Sequence, residues 1–342
     1  MNDLIEVRDL SVHFEIRAKG IGGARRNLTA VDDVSLTAKR GQTLAIVGES
    51  GSGKTTLALA IARLASGKTT GEVRIDGKDV VSLTDGGLDW MRRKVQVIFQ
   101  DPFSSLNPRQ RAEDIVREPL DNLTTKTKAE KAEIVDRFFN AVGLRPEQKR
   151  LFPHQFSGGQ RQRIGIARAL STQPEVIICD EPVSALDVAV QAQIINLLRR
   201  LQDEFGLTYL FISHDLGVVQ HMCDSVAVMY MGKIVEHADR LQLFNDPQHP
   251  YTRALISAVP AVDPDLRNRG QKLALVGDPP NLLNLPKGCR FASRCPLAEP
   301  RCFETEPPLR VRVGGHRVAC HLVDLGPEAS AEAVSPSAPE FP

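Results

Sequence analysis

The chain has 342 residues, enough at roughly 150 per domain for two domains or one large domain with an appendage. Lys plus Arg number 43 and Asp plus Glu 42, and a net charge of +1 excludes a nucleic-acid binder that works by bulk positive charge. Hydrophobic residues at 42% and charged residues at 25% exclude wholesale disorder. No apolar run approaches the roughly 20 residues that span a bilayer. The longest, around Val176–Cys179 and Tyr209–Ile212, have strand length. The opening MNDLIEVRDL carries acids and neither a basic leader nor a long apolar stretch, so no secretory signal is expected. The expected place is the cytosol, unless a partner holds the chain at a membrane.

The first 48 residues read as strands, with Val12, Phe14 and Ile16 alternating with polar residues. Arg17–Thr29, rich in Gly and Arg, is expected to be a long solvated loop. Thr43–Val47 predicts a short apolar strand ending at Gly48. A helix is expected from Lys54, with Leu57, Ile61 and Leu64 on one face. Residues from about 101 to 169 alternate loops with helical patterns, among them Ala129–Val142, and read as a helical insertion between strands. Val176–Cys179 and Thr208–Ser213 suit strands buried on both faces of a parallel sheet. Between them Val190, Ile194, Leu197, Leu198, Leu201 and Phe205 form a helical face. This strand–helix alternation predicts an α/β fold with a mainly parallel sheet. Proline and loop signals become dense after Gln248, which predicts a second small unit. Residues 324–342, rich in Pro, Ala, Ser and Glu, predict a disordered tail.

Gly48-Glu49-Ser50-Gly51-Ser52-Gly53-Lys54-Thr55 satisfies G-x-x-x-x-G-K-[ST], after a strand and opening a helix. The glycines let backbone N–H groups curl around a polyphosphate, and the helix N-terminus adds its positive end. Lys54 can reach the β- and γ-phosphates, and the Thr55 hydroxyl can ligate Mg2+. The motif alone leaves ATPase, GTPase, kinase and motor open. Val176-Ile177-Ile178-Cys179-Asp180-Glu181 adds two carboxylates at the end of a buried strand, where ligands sit in open α/β sheets. Asp180 can hold the Mg2+ shell, and Glu181 can orient or deprotonate an attacking water. His214 follows the strand Thr208–Ser213 and would emerge at the same edge, within reach of a γ-phosphate.

Phe156-Ser157-Gly158-Gly159-Gln160-Arg161-Gln162-Arg163 resembles the signature of ABC-type ATPases, commonly L-S-G-G-Q, with Phe156 in place of the leading Leu. Ser157 and the Gly158–Gly159 backbone at a helix start suit a second phosphate clamp. The resemblance spans roughly residues 4–255. It implies a P-loop ABC ATPase core over residues 1–250, with an N-terminal antiparallel β subdomain and a helical subdomain at about 101–169. It further implies nucleotide contacts from Phe14 (stacking on adenine), from Gly48 through Thr55 with Thr56, and from Gln100, Asp180 and His214. Ser157, Gly158, Gly159, Gln160 and Asp187, the last in the interface loop Ser184-Ala185-Leu186-Asp187, complete the set. Glu181, Gln100 and His214 are the implied catalytic residues, and Thr55, Gln100 and Asp180 the implied Mg2+ ligands. In this family two subunits sandwich two ATP molecules, each site joining one chain's phosphate loop to the other's signature. ATP closes the dimer and hydrolysis reopens it.

Three longer segments look like the oligopeptide/dipeptide importer ATPases: Gln100-Asp101-Pro102-Phe103-Ser104-Ser105-Leu106-Asn107-Pro108-Arg109, His249-Pro250-Tyr251-Thr252-Arg253-Ala254-Leu255 and Gly288-Cys289-Arg290-Phe291-Ala292-Ser293-Arg294-Cys295-Pro296. They imply a C-terminal extension at 251–323 and an ATPase that powers uptake of peptides or a related solute, leaning toward the F-type subunit. The implied partners are a second ATPase subunit, two integral permease subunits and, indirectly, an extracytoplasmic solute-binding protein, with no nucleic acid. The implied place is the cytoplasmic face of the inner membrane. A soluble ABC ATPase acting on DNA or ribosomes is the alternative; against it, one phosphate loop and no long coiled-coil insertion are visible.

Of the six cysteines, Cys179 and Cys223 read as core hydrophobes. Cys289, Cys295, Cys302 and Cys320 cluster late, with spacing unlike the usual zinc sites. Without an export signal they argue for reduced thiols or a metal site. Some members of the importer subfamily carry a [4Fe–4S] cluster on such cysteines, and the resemblance implies one here.

Overall fold

The computed structural model describes residues 3–17, 25–101, 103–258, 277 and 280–323. The chain opens with β1 (Asp3–Arg17), β2 (Arg25–Lys39), β3 (Thr43–Val47) and helix α1 (Lys54–Ile61). Next come β4 (Lys68–Ile75), β5 (Lys78–Asp79), α2 (Asp85–Lys94) and β6 (Val95–Ile98). Three helices follow: α3 (Ala112–Leu123), α4 (Lys128–Ala141) and α5 (Gly158–Leu170). Then come β7 (Val176–Asp180), α6 (Val188–Phe205), β8 (Thr208–Ser213), α7 (Leu216–Met222), β9 (Ser225–Tyr230) and β10 (Lys233–Asp239). The chain continues through α8 (Arg240–Asn245), α9 (Pro250–Ser257), α10 (Pro300–Glu304), β11 (Arg310–Val311) and β12 (Arg317–Val318).

Two sheets result. The smaller has the order β2-β1-β4-β5 and is antiparallel throughout. The larger has the order β11-β12-β10-β9-β3-β8-β7-β6. Its neighbours from β6 to β9 pair in parallel, and β10, β12 and β11 add antiparallel edges. The mainly parallel sheet and the antiparallel N-terminal subdomain are therefore both present.

The central strands show why they read as continuous apolar runs. Ala45, Val47, Ile177, Cys179, Tyr209 and Phe211 face one core, which includes the helices α3 to α6. Leu44, Ile46, Val176, Ile178, Leu210 and Ile212 face the other, shared with α1 and the antiparallel sheet. Period-two alternation is present, but both faces are dry, so no polar residue marks it. Cys179 and Cys223 are buried and free, as core hydrophobes. In the helical region α4 starts on a capping box. The Glu130 N–H donates to Thr127 Oγ1 at 3.3 Å, and the Glu130 carboxylate accepts from the Thr127 N–H at 2.7 Å. Such caps stabilise by about 0.5–2 kcal/mol.

Three expectations change. The loop predicted at Arg17–Thr29 is shorter, because Arg25–Thr29 is strand and pairs with His13–Arg17. Residues 18–24 lie outside the described residues. Cross-strand pairing there overrides the polar composition. Leu64 does not extend the buried face of α1: the helix ends at Ile61, and Leu64 is exposed. The expected C-terminal unit is joined to the core by strand pairing, since β12 continues the main sheet beside β10. The tail predicted at 324–342 lies outside the described residues.

Glu236 on β10 ties this extension down. Its carboxylate accepts from the N–H groups of Gln248 at 2.7 Å and His249 at 2.8 Å, and from His316 Nε2 at 2.7 Å. His249 caps α9 by accepting the Tyr251 N–H at Nδ1, 3.1 Å away. Burial lowers the His249 pKa from 6.5 to about 4, so the fold holds the ring neutral. Burial raises the Glu236 pKa, but hydrogen bonds led by that of His316 outweigh it and hold the carboxyl below its ordinary range. Both shifts act in one direction. Above about pH 6.5 the His249 contribution is complete; below it the unfolded chain takes up a proton that the folded chain refuses. The Glu236 contribution is lost further down, in the carboxylate range. His237 on β10, whose pKa burial also lowers to about 4, acts in the same sense. Thermal melting should therefore fall steadily from pH 7 to pH 5, and His249→Asn should reduce that slope by about half.

Candidate nucleotide site

The phosphate loop leaves β3 at Gly48. Gly48 has φ +153° and Gly53 has φ +102°, conformations that favour glycine. A Cβ at Gly48 would collide with the Met229 carbonyl, and one at Gly53 with that of Ala30. Close backbone approach on both sides of the loop thus requires these two residues. Lys54, the first residue of α1, is buried. Its Nζ donates to the carbonyls of Gly48 and Glu49, both at 2.8 Å. Burial lowers the Lys54 pKa, while Glu181, Asp180 and Glu49 pull it back up.

The next strand end supplies oxygen. Thr55 Oγ1 donates to Asp180 Oδ1 at 3.0 Å. Burial raises the Asp180 pKa, and the like charge of Glu181 adds to this, against the Thr55 hydrogen bond and the charge of Lys54. A buried carboxylate beside a hydroxyl is a hard-oxygen pair that a divalent cation would suit, since Mg2+ takes one or two protein ligands plus phosphate and water. Glu181 itself has φ +47°, in the left-handed region, and its N–H donates to the Ile212 carbonyl at 3.1 Å. That turn costs about 1–3 kcal/mol and aims the side chain out of the strand. Its Oε2 accepts from Gln100 Nε2 at 3.0 Å and lies 3.1 Å from His214 Nδ1. The structure thus gathers Gln100, Glu181 and His214 around one carboxylate oxygen.

Phe14, Ser50, Gly51, Gly53, Lys54, Thr55, Thr56, Gln100, Glu181 and His214 line one cavity of about 670 Å³. Gly48, Glu49, Ser52 and Asp180 support it from the loop and strand end. Leu28, Ala30 and Leu282 also line it and were missed. Leu28 pairs across strands with Phe14, inside the segment read as a loop. Leu282 belongs to a Pro-rich stretch with no period to flag it.

The signature residues are placed elsewhere. Ser157 caps α5, accepting from the Gln160 N–H at 3.3 Å, while the Gln160 side chain accepts from the Ser157 N–H at 3.0 Å. Phe156 is buried, so this apolar position tolerates the change from Leu. Asp187 caps α6 through the Val190 N–H at 2.9 Å, and Gly159 abuts Val190. Ser157, Gly158, Gly159, Gln160 and Asp187 therefore form a second patch, outside this chain's own cavity.

A phosphate loop, an acidic strand end and a capped S-G-G-Q helix in this order on a mixed sheet define an ABC-type ATP-binding cassette. The ABC transporter family matches residues 31–184, and the oligopeptide/dipeptide transporter C-terminal region matches residues 235–302. The oligopeptide transport ATP-binding protein AppF of Bacillus subtilis (strain 168) is 47% identical over 324 residues, covering 93% of this chain and 97% of that protein. Among solved structures, the ATP-binding cassette MJ0796 bound to ADP and phosphate superposes with a TM-score of 0.61 at 28% identity, over 69% of this chain and 98% of that one. The CbiO1 protein of Clostridium perfringens, part of an ABC transporter complex, gives 0.61 at 26% identity, over 72% and 92%. The chain belongs to the ATP-binding subunits of the oligopeptide/dipeptide family of ABC transporters. Among the described residues, no helix is long and apolar enough to cross a membrane.

Gly48→Ala tests the loop geometry. It should weaken binding of a fluorescent ATP analogue by at least about tenfold, as expected when charge-assisted contacts to phosphate are lost, while the circular-dichroism spectrum stays that of the wild type.

Proposed function

We propose that the chain powers uptake of peptides, or of a related small solute, by hydrolysing ATP between two closed cassettes. The observation that carries this reading is the grouping of Gln100, Glu181 and His214 at the mouth of the cavity that Lys54 and Thr55 enter. Lys54 and the loop N–H groups bind the β- and γ-phosphates. Phe14, Leu28 and Leu282 offer an apolar wall for the base. Thr55 and Asp180 would hold Mg2+, with Gln100 as a further ligand; bound, it would neutralise phosphate charge. Glu181 accepts a proton from the attacking water. Gln100 and His214 hold that carboxylate in place and sense whether a γ-phosphate is present. Ser157, Gly158, Gly159, Gln160 and Asp187 lie away from this cavity, as residues that complete the partner chain's site would.

The proposed partners follow: a second ATPase subunit, two integral permeases at the cytoplasmic face of the inner membrane, and indirectly a solute-binding protein. The division into a nucleotide-binding domain at 1–250 and an extension at 251–323 is part of the same proposal.

The iron–sulfur cluster meets a poorer fit. Burial raises the Cys289 pKa to about 11, and burial likewise raises those of Cys295 and Cys320, with neighbouring cysteines adding to each shift. The thiols are thus neighbours in a buried segment, and a bound metal would itself displace their protons. Among the described residues, no group of three or more His, Cys, Asp or Glu side chains is arranged to hold a metal. As placed, the cysteines do not fit the cluster, and no step of the cycle runs through it.

Glu181→Gln should retain ATP binding and slow turnover by at least about 100-fold, the usual worth of a general base. Lys54→Ala should lose binding itself. Wild-type turnover by Glu181→Gln in a reconstituted importer would overturn the base assignment. Iron and acid-labile sulfide analysis of anaerobically purified protein checks the cysteines; a preparation free of both is the expected result.

A further inference from the structure

Glu49, the second residue of the phosphate loop, is held at all three of its polar groups. Its N–H donates to Tyr251 Oη at 2.8 Å. Its carbonyl accepts from Lys54 Nζ at 2.8 Å. Its carboxylate takes both arms of Arg294, at 2.7 and 3.0 Å. Two of the three holders come from the C-terminal part of the chain. Tyr251 lies in α9, and Arg294 lies in a short 3-10 turn, Ala292–Arg294, just before Cys295.

Both holders are rigidly seated. The rings of Tyr230, Tyr251 and Phe291 pack with centroids 4.6–5.4 Å apart. The Arg294 side chain is 6% exposed and also reaches Tyr230 Oη at 3.3 Å. Its Nε is buried with no partner. A buried guanidinium with an orphaned donor is costly, so the bidentate pair with Glu49 is what holds it there. Arg290, which follows Cys289, fixes the same turn to the core through the Met231 carbonyl and Asp32.

A carboxylate inside a loop that wraps polyphosphate opposes the ligand's charge unless it is neutralised. Arg294 supplies that neutralisation from outside the loop. The Glu49 carbonyl is in turn one of the two carbonyls that place Lys54.

We propose that the C-terminal extension positions the phosphate loop for ATP, with Arg294 and Tyr251 as positioning residues acting through Glu49. The proposal rests on the nucleotide-site reading and deepens it. Glu181, Gln100 and His214 take no part in this arrangement, so its loss falls on ATP affinity and spares the chemical step.

The test uses the reconstituted importer and measures KM for ATP and kcat separately. Arg294→Ala should raise KM about tenfold, the scale of a charge-assisted pair, with kcat held within about twofold. Arg294→Lys should restore part of the affinity, and Tyr251→Phe should raise KM by a smaller factor. In a Glu49→Ala background, Arg294→Ala should add almost nothing, because both substitutions break the same pair. A C-terminal module that merely unfolded would instead add its full effect in that background. An unchanged KM in Arg294→Ala, multiplicative effects in the double variant, or a loss confined to kcat would overturn the proposal. Lys54→Ala separates the two readings. If it binds ATP like the wild type, the nucleotide-site reading fails and takes the proposal with it. If it loses binding while the Arg294 variants keep the wild-type KM, the positioning role alone fails.

Discussion

The register of three parallel strands fixes where the chemistry sits. β3 pairs with β8 so that Val47 lies opposite Ser213, and β7 pairs with β8 so that Asp180 lies opposite Ile212. A slip of one residue would send every side chain to the opposite face. Both faces are packed with side chains of specific size, so that slip would break two cores at once. With the register held, the first residues beyond the strands are Gly48, Glu181 and His214, side by side at one edge. The phosphate loop, the acidic pair and the histidine are brought together by the pairing of the strands that end just before them.

Charge at that edge is balanced locally. Lys54 is a buried ammonium whose pKa is lowered by burial, and Asp180 is a buried carboxylate whose pKa is raised by it. Each would be costly alone, and each partly relieves the other. Glu181 stays near the opening, where Gln100 and His214 share one of its oxygens. The two carboxylates thus have different surroundings: one is hydrogen-bonded to a hydroxyl beside the loop, the other stands where water can approach. That division suits one to a cation and the other to a proton.

Much of this was legible because it rests on local rules. A phosphate loop needs glycine where φ is positive, and Gly48 and Gly53 sit there. Strands dry on both faces must be continuous apolar runs, and Val176–Asp180 and Thr208–Ser213 are. Arg25–Thr29 was illegible as strand because pairing with β1, rather than its own residues, makes it one. Leu28 was lost with it. Leu282 and Arg294 reach the loop through tertiary docking, which leaves no period and no motif in the sequence. The signature residues read as one set in the sequence, and their place outside this chain's cavity is a property of the folded surface.

The C-terminal residues are bonded into the rest of the chain at several points. The contacts that bind them begin on β10, where Glu236 collects Gln248, His249 and His316, and the matched C-terminal family region itself begins at residue 235. β12 then adds to the sheet edge beside the same strand. Arg290 and Arg294, each next to a cysteine, reach from the extension to β2 and to the phosphate loop. Arg290 also donates to the Met231 carbonyl, two residues after Met229, whose carbonyl leaves no room for a Cβ at Gly48. A rotation of the extension cannot leave all of these contacts intact, because each is short and directional. The Gly48–Thr55 loop and the segment that carries Cys289 and Cys295 are thus joined by direct side-chain contacts from Arg294 to Glu49.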